Sequence, residues 1–363
     1  MVHMPEMFSG NLIANGGMQR VQVTKKELAQ YELKKNDLLF ARRSIAVEGS
    51  GKCVLVGELQ EPVTFESSVL RIRINEDLAD PVFVFYFIES PTGRRQMFRI
   101  TRQLTISGIT GEDLKKYLLP LPPIGEQKKI SQILNLWDNW IGSFQKLIIK
   151  KKEVKKGLMQ KLLCGLSRLK EFKGERWRTH RLGELFTERV EIGRTDLPLV
   201  AITGQNGVVP RDSLTKRDSS SEDKSKYLRI TPGDIGYNTM RMWQGVAGLS
   251  QIEGIVSPAY TILIPSKQID GQFAAYLFKT APMIHKFHRN SQGLVDDTLS
   301  LKYHNFARIH VTIPAVPEQK RVAAVLNTCD EEIKLLEKQL EALKEQKRGL
   351  MQKLLTGEVR VKI

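Results

Sequence analysis

Cysteine is scarce in this chain, and the scarcity removes several classes of protein at once. Its three cysteines, Cys53, Cys164 and Cys329, lie far apart and form no Cys-x-x-Cys pair. That excludes a zinc ribbon, gives no disulfide framework and makes a reducing cytoplasm the expected setting. Nowhere do eighteen apolar residues run together, and the opening MVHMPEMFSGNL lacks a charged region followed by an apolar one. Neither a membrane span nor an export signal is expected. Acidic residues are few as well: 40 Asp+Glu face 56 Lys+Arg, a formal charge of +16. Such a balance points to a polyanionic partner, nucleic acid ahead of an acidic membrane. The 363 residues, 41% of them hydrophobic, suffice for a buried core and two or three domains.

Catalytic motifs are missing too. Gly49-Ser50-Gly51-Lys52 resembles a phosphate loop, but Ala46 stands where the pattern needs Gly and Cys53 where it needs Ser or Thr. The run is expected to be a turn with a basic residue. Leu121-Pro122-Pro123-Ile124 lacks the polar amide that would grip a flipped base, and no glycine-rich strand–turn–helix suits S-adenosylmethionine. Glu332-Ile333-Lys334 matches half of a nuclease signature, yet Ile333 belongs to an apolar helix seam. His285 and His288 share a helix face without a third candidate ligand, so no metal is expected.

What the chain does contain is a long internal repeat. EQKKISQILNLWD from Glu126 matches EQKRVAAVLNTCD from Glu318, and KKGLMQKLLCG ending at Gly165 matches KRGLMQKLLTG ending at Gly357. Both pairs are offset by 192 residues, with no gap and about half of the positions identical. Each copy reads as one helix of about forty residues, roughly 60 Å long. Pro122 and Pro123, then Pro314 and Pro317, stand where a helix starts, and Gly165 and Gly357 where it ends. Val322, Leu326, Cys329, Ile333, Leu336, Leu340, Leu343, Lys347, Leu350 and Leu354 alternate spacings of four and three, a heptad seam with one polar interruption. The first copy runs Ile130, Leu134, Trp137, Ile141, Phe144, Ile148, Lys151, Lys155, Leu158 and Leu162. Each seam is the economical partner of the other. A duplication with equivalent heads at opposite ends implies a pseudo-two-fold axis, hence antiparallel helices. The lysine run Lys146, Lys150, Lys151, Lys152, Lys155 and Lys156 reads equally as a solvated face or as a contact for phosphate or partner.

Two larger segments flank these helices, and they correspond weakly. Asp37-Leu38-Leu39 matches Asp234-Ile235-Gly236, Ser67-Ser68-Val69-Leu70 matches Ser257-Pro258-Ala259-Tyr260, and each segment then offers an aromatic helix, PVFVFYFIES or GQFAAYLFKT. The expected fold is therefore α+β: two globular mixed α/β heads, 1–120 and 176–313, separated by two long antiparallel coiled-coil helices in 121–175 and 314–363.

At this point the residues resemble the specificity subunits of type I restriction-modification systems. The similar features are Pro123-Ile124-Gly125-Glu126-Gln127, Ala315-Val316-Pro317-Glu318-Gln319, the endings GLMQKLLCG and GLMQKLLTG, and Trp177 with Arg181-Leu182-Gly183-Glu184-Leu185. ITGQNGVVPRDS, PGDIGYNTMRMWQG and GIVSPAYTIL add to them, and the likeness covers nearly the whole chain. The resemblance implies that each head is a target recognition domain reading one half of a split, asymmetric DNA target. It implies that the paired helices set the distance between the halves and dock two methyltransferase subunits, and that restriction/translocase subunits then join. S-adenosylmethionine, ATP and Mg²⁺ would belong to those partners, leaving this chain non-catalytic and without a cofactor of its own. One departure stands out: the first head shows no counterpart of Trp177–Leu185. The alternatives are a methyltransferase or nuclease with built-in recognition domains, disfavoured by the missing motifs, and a coiled-coil scaffold with degenerate heads.

Affinity for DNA comes mainly from Lys and Arg on phosphates, specificity from side chains at base edges. Candidates in the first head are Arg42, Arg43, Arg94, Arg95, Arg99, Arg102 and Gln103. In the second head, Arg211, Lys216, Arg217, Lys224 and Lys226 make a basic, Ser-rich loop, while Tyr237, Asn238, Arg241, Trp243 and Gln244 pack reading types together. Arg289 and Gln292 end a helix. For each residue, DNA contact, core packing and plain solvation stay open at this level.

Overall fold

The computed structural model describes residues 1–14, 16–102, 107–204, 207–214, 223–295 and 298–362. They form two compact units: Met1–Leu147 with Leu336–Ile363, and Ile148–Leu335. Each unit joins one globular head to half of each long helix. The helices span Ile124–Leu163 and Val316–Leu355, 40 residues each, starting at the prolines and stopping just before Gly165 and Gly357. Both glycines have φ near +70° (69° and 77°), the left-handed conformation a helix stop needs.

In the first unit, four strands form the sheet: β1 (Leu12–Ile13), β2 (Leu38–Ala41), β3 (Cys53–Val56) and β4 (Val69–Ile72), in the order β1-β3-β2-β4. β1 lies parallel to β3; the other pairs are antiparallel. β2 is buried along its whole length, as a continuous apolar run should be when both faces are covered. Leu38 and Phe40 meet the aromatic helix Pro81–Glu89, while Leu39 and Ala41 meet Val2, Met7 and Val63. Asp80 caps that helix by accepting from Phe83 N–H, and the basic helix Pro91–Ile100 follows.

The second unit repeats the plan with β5 (Phe186–Arg189), β6 (Ile235–Asn238), β7 (Ala247–Leu249) and β8 (Tyr260–Pro265), ordered β7-β6-β8-β5 and all antiparallel. Asp270 caps the helix Gly271–Leu277, and Ala281–Asn290 follows. The counterparts are thus β2 and β6, β4 and β8, Asp80 and Asp270. Phe186, Phe278, Phe287 and Phe306 pack in its core, with Phe186 tilted to Phe278 at 5.5 Å and edge-on to Phe306 at 5.9 Å between ring centroids.

Within each unit the two helix halves run antiparallel, as the repeat predicts. In the first, Arg360 grips Glu126 through two guanidinium N–H donors at 2.8 and 2.6 Å, and Lys347 lies 2.6 Å from Asp138. In the second, Arg168 grips Glu318 at 2.6 Å through two donors, and Lys155 lies 2.5 Å from Asp330. Tyr86 joins the first set, its hydroxyl 2.7 Å from Asn135 and Asp138 while Lys347 Nζ stands 5.0 Å from its ring centroid. Tyr276 repeats this with Asn327, Asp330 and Lys155 at 5.1 Å. The polar interruptions of the seam are therefore ligands of a Tyr–Asp–Lys cluster, and Lys151 pairs with Glu332 at 2.6 Å. Part of the lysine run is thus a helix-pairing feature. Gln127 and Gln319 are buried; each donates to the carbonyl of Pro122 or Pro314 and accepts from the N–H of Asp80 or Asp270, tying helix start to head. No helix is long and apolar enough to cross a membrane among the described residues.

Candidate nucleic-acid interface

In the first head, β2 runs straight into the candidate surface. Arg42 is half-buried and its backbone N–H and C=O bond Ser68 and Ile109, so the strand leaves the sheet in a fixed direction. Arg43 is exposed on the short strand Arg43–Ser44, which pairs with Ser107–Gly108. Arg102 pairs with Gly108 from the other side. One glycine therefore gathers Arg43 and Arg102. Arg102 reaches Asp113 at 3.2 Å, yet its side chain stays 61% exposed. Buried Met97 anchors the helix Pro91–Ile100, leaving Arg95 and Arg99 exposed one turn apart. Gln103 lies outside the described residues.

Arg94 does something else. Its guanidinium donates to the carbonyls of Gly51 at 2.7 Å and Glu48 at 2.6 Å, which pins the Gly49–Lys52 turn. Gly51 needs its φ of +68°, and a Cβ there would fall 2.5 Å from Met97. Lys52 pairs with Glu89 at 3.0 Å. The resemblance to a phosphate loop thus dissolves into a structural turn, and Arg94 is corrected from a DNA contact to its clamp.

In the second head, β6 leads into the loop of Asn238, Arg241, Trp243 and Gln244. Asn238 Oδ1 accepts from Met240 N–H at 2.9 Å, shaping the turn, and Gly245 closes it at φ 77°. Trp243 donates from Nε1 to Met240 O at 3.0 Å and sets its ring edge-on to His288 at 5.8 Å. That contact joins the loop to the helix Ala281–Asn290, where Arg289 is exposed. Gln292 follows, exposed, with its backbone paired to Ser300. Asn238 and Trp243 are half-buried, Arg241 and Gln244 exposed. Tyr237 is corrected: it is fully buried and stacks on Phe306 at 5.5 Å, so it holds the sheet and cannot reach a base. Burial pushes its hydroxyl pKa well up.

Arg211, Lys224 and Lys226 lie outside that loop in the sequence. Arg211 is half-buried at the end of Gly207–Pro210, with its N–H on Leu199 O; Lys224 is half-buried and Lys226 exposed. Lys216 and Arg217 lie outside the described residues. Phe98, which was not among the sequence candidates, is 47% exposed between Arg95 and Arg99 and aligns with His288 in the other head. It is an aromatic residue set on the charged face of a short helix. Among the described residues, no group of three His, Cys, Asp or Glu side chains could hold a metal ion.

The model of the type I restriction modification DNA specificity domain matches residues 6–153 and 175–345, once per head. The type I restriction enzyme MjaVIII specificity subunit of Methanocaldococcus jannaschii is 26% identical over 374 residues, covering 94% of this chain and 83% of that one. The EcoKI specificity subunit of Escherichia coli is 31% identical over 112 residues, covering 30% of this chain and 24% of its own. Among solved structures, the type I S subunit from M. genitalium aligns with a TM-score of 0.53 at 15% identity, covering 98% of this chain and 91% of the other.

Proposed function

The chain belongs to the type I restriction-modification DNA specificity family, and from that premise we propose that each head reads one half of a bipartite, asymmetric DNA target. One observation carries the reading. Both heads present cationic or amide side chains at corresponding places, at or just after the end of the central strand and along or just past the basic helix. These are Arg42, Arg43, Arg95, Arg99 and Arg102 in one head, and Asn238, Arg241, Gln244, Arg289 and Gln292 in the other. Their chemistry suits base edges and phosphates. Trp243 supports the loop and lends it an aromatic edge. Arg211, Lys224 and Lys226 are assigned to phosphates. The helices dock two methyltransferase subunits and, through them, restriction subunits; S-adenosylmethionine, ATP and Mg²⁺ act there, in the cytoplasm.

The test is methylation-site mapping in cells that express this chain with its methyltransferase and restriction subunits. A bipartite methylated motif is expected. Arg241→Ala or Gln292→Ala should relax or abolish one half only, at about 1–3 kcal/mol for a bidentate base contact. If Arg241→Ala weakened specific and random DNA equally, Arg241 would be a phosphate clamp rather than a reader.

A further inference from the structure

On the basis of that DNA reading, we propose that Leu294 and Val295, at the tip of the hairpin after the helix Ala281–Asn290, read the methyl group of a thymine in the half-site taken by the second head. The hairpin is a built feature. Gln292 and Ser300 exchange two backbone hydrogen bonds at 2.9 and 2.8 Å. Leu301 N–H then donates to Thr239 O at 2.8 Å, which ties the returning arm to the loop after β6. Near the tip, Thr298 N–H donates to Val295 O at 2.9 Å. The Thr298 hydroxyl accepts from Val295 N–H at 3.2 Å and donates to Val295 O at 2.9 Å. A Cβ at Gly293 would fall 2.6 Å from Thr298 O, so only glycine lets the arms close this far.

This turn holds two branched aliphatic side chains out of the core. Leu294 is 101% exposed and Val295 62%, although Leu299 and Leu301 on the returning arm are buried. A single exposed leucine needs no explanation. Here two apolar residues stand together, braced by Thr298 and next in the chain to exposed Gln292 and Arg289. Exposed Arg241 lies on the loop to which the hairpin is tied. Cationic and amide side chains around the tip suit the groove of a duplex rather than an apolar protein face.

In the major groove thymine alone presents an apolar group, its C5 methyl, and the adenine paired with it presents the N6/N7 edge that an amide side chain binds. Gln292 and the Leu294–Val295 tip thus carry the two chemistries that one A·T pair displays.

The test uses the chain assembled with its methyltransferase subunits. The probe is a fluorescein-labelled duplex of the target found by methylation mapping, with uracil replacing each thymine in turn. Uracil keeps every hydrogen-bonding group and lacks only the methyl. By anisotropy, one substitution, in the half read by the second head, should weaken binding about 4-fold, the factor for one lost buried methyl group. The double variant Leu294→Ser, Val295→Ser should bind the thymine duplex more weakly by a similar factor and lose the uracil penalty, while still preferring its target to random DNA. A native complex indifferent to every uracil, yet still preferring its target, would overturn the proposal and leave the DNA reading standing. So would a double variant that keeps the penalty. A native complex that does not prefer its target to random DNA would overturn both.

Discussion

Glu126 and Gln127 show what one residue pair does here and how much of it a sequence can reveal. The pair stood in the sequence as a helix-start signature, but its partners were invisible because Arg360 lies 234 residues away and Asp80 47 away in the other direction. Hydrogen bonds from Arg360, then from Val361 N–H, hold the Glu126 carboxyl down to about 2. A carboxylate lowered from its unfolded value of 4.5 favours the folded state above that value, and the contribution is lost as pH falls toward 2. Urea unfolding between pH 4.5 and 2 should therefore show a smaller pH slope for Glu126→Gln than for the native chain; an unchanged slope would contradict the assignment. The phosphate assignment is tested at the same scale. Replacing Lys224 and Lys226 with Ala should weaken binding to every DNA sequence and reduce the salt slope by about 1 per lost contact. A loss confined to one sequence would make them readers instead. Arg94 and Tyr237 carry the opposite lesson. Residue type nominated both, whereas burial and carbonyl partners, which depend on distant chain, decide against them.

The long helices were the most legible elements, because a heptad seam of ten positions in each copy is a strong periodic signal. Every seam position from Ile130 to Leu162 and from Val322 to Leu354 is buried or half-buried. The lysines within the seam were legible as interruptions and no further, since the tyrosines that complete their clusters sit on the aromatic helices of the heads. A polar group at a seam position fixes register at some cost in stability. Lys347 is 13% exposed and Asp138 44%, so the pair stands between a surface and a buried ion pair, worth about 1 kcal/mol. The double variant Lys155→Leu, Lys347→Leu should therefore keep its helix content by circular dichroism. It should also self-associate in sedimentation experiments at concentrations where the native chain does not, because a seam with Lys151 as its one remaining lysine tolerates other registers. Unchanged self-association would show that the lysines do not select the pairing. The sheets were less legible: the short strands β1 and β7 carry too few residues for an alternation to register.

At the scale of the molecule, the duplication explains why the helices are near copies and the heads are not. The helices must match each other at the Glu–Arg and Tyr–Asp–Lys contacts, which recur in both units, whereas the loops after β2 and β6 carry no such constraint. The count of heads and the α+β class followed from the repeat itself. What the repeat could not show is that each compact unit draws on both helices, because that needs contacts between residues more than 170 apart, such as Lys155 and Asp330. The central claim is that the two heads are independent readers. It is tested most directly by exchanging residues 176–313 for the corresponding head of another family member and mapping the methylated sites with the partner subunits co-expressed. A new sequence in one half of the target, with the other half unchanged, is the predicted result; a change in both halves would contradict the account.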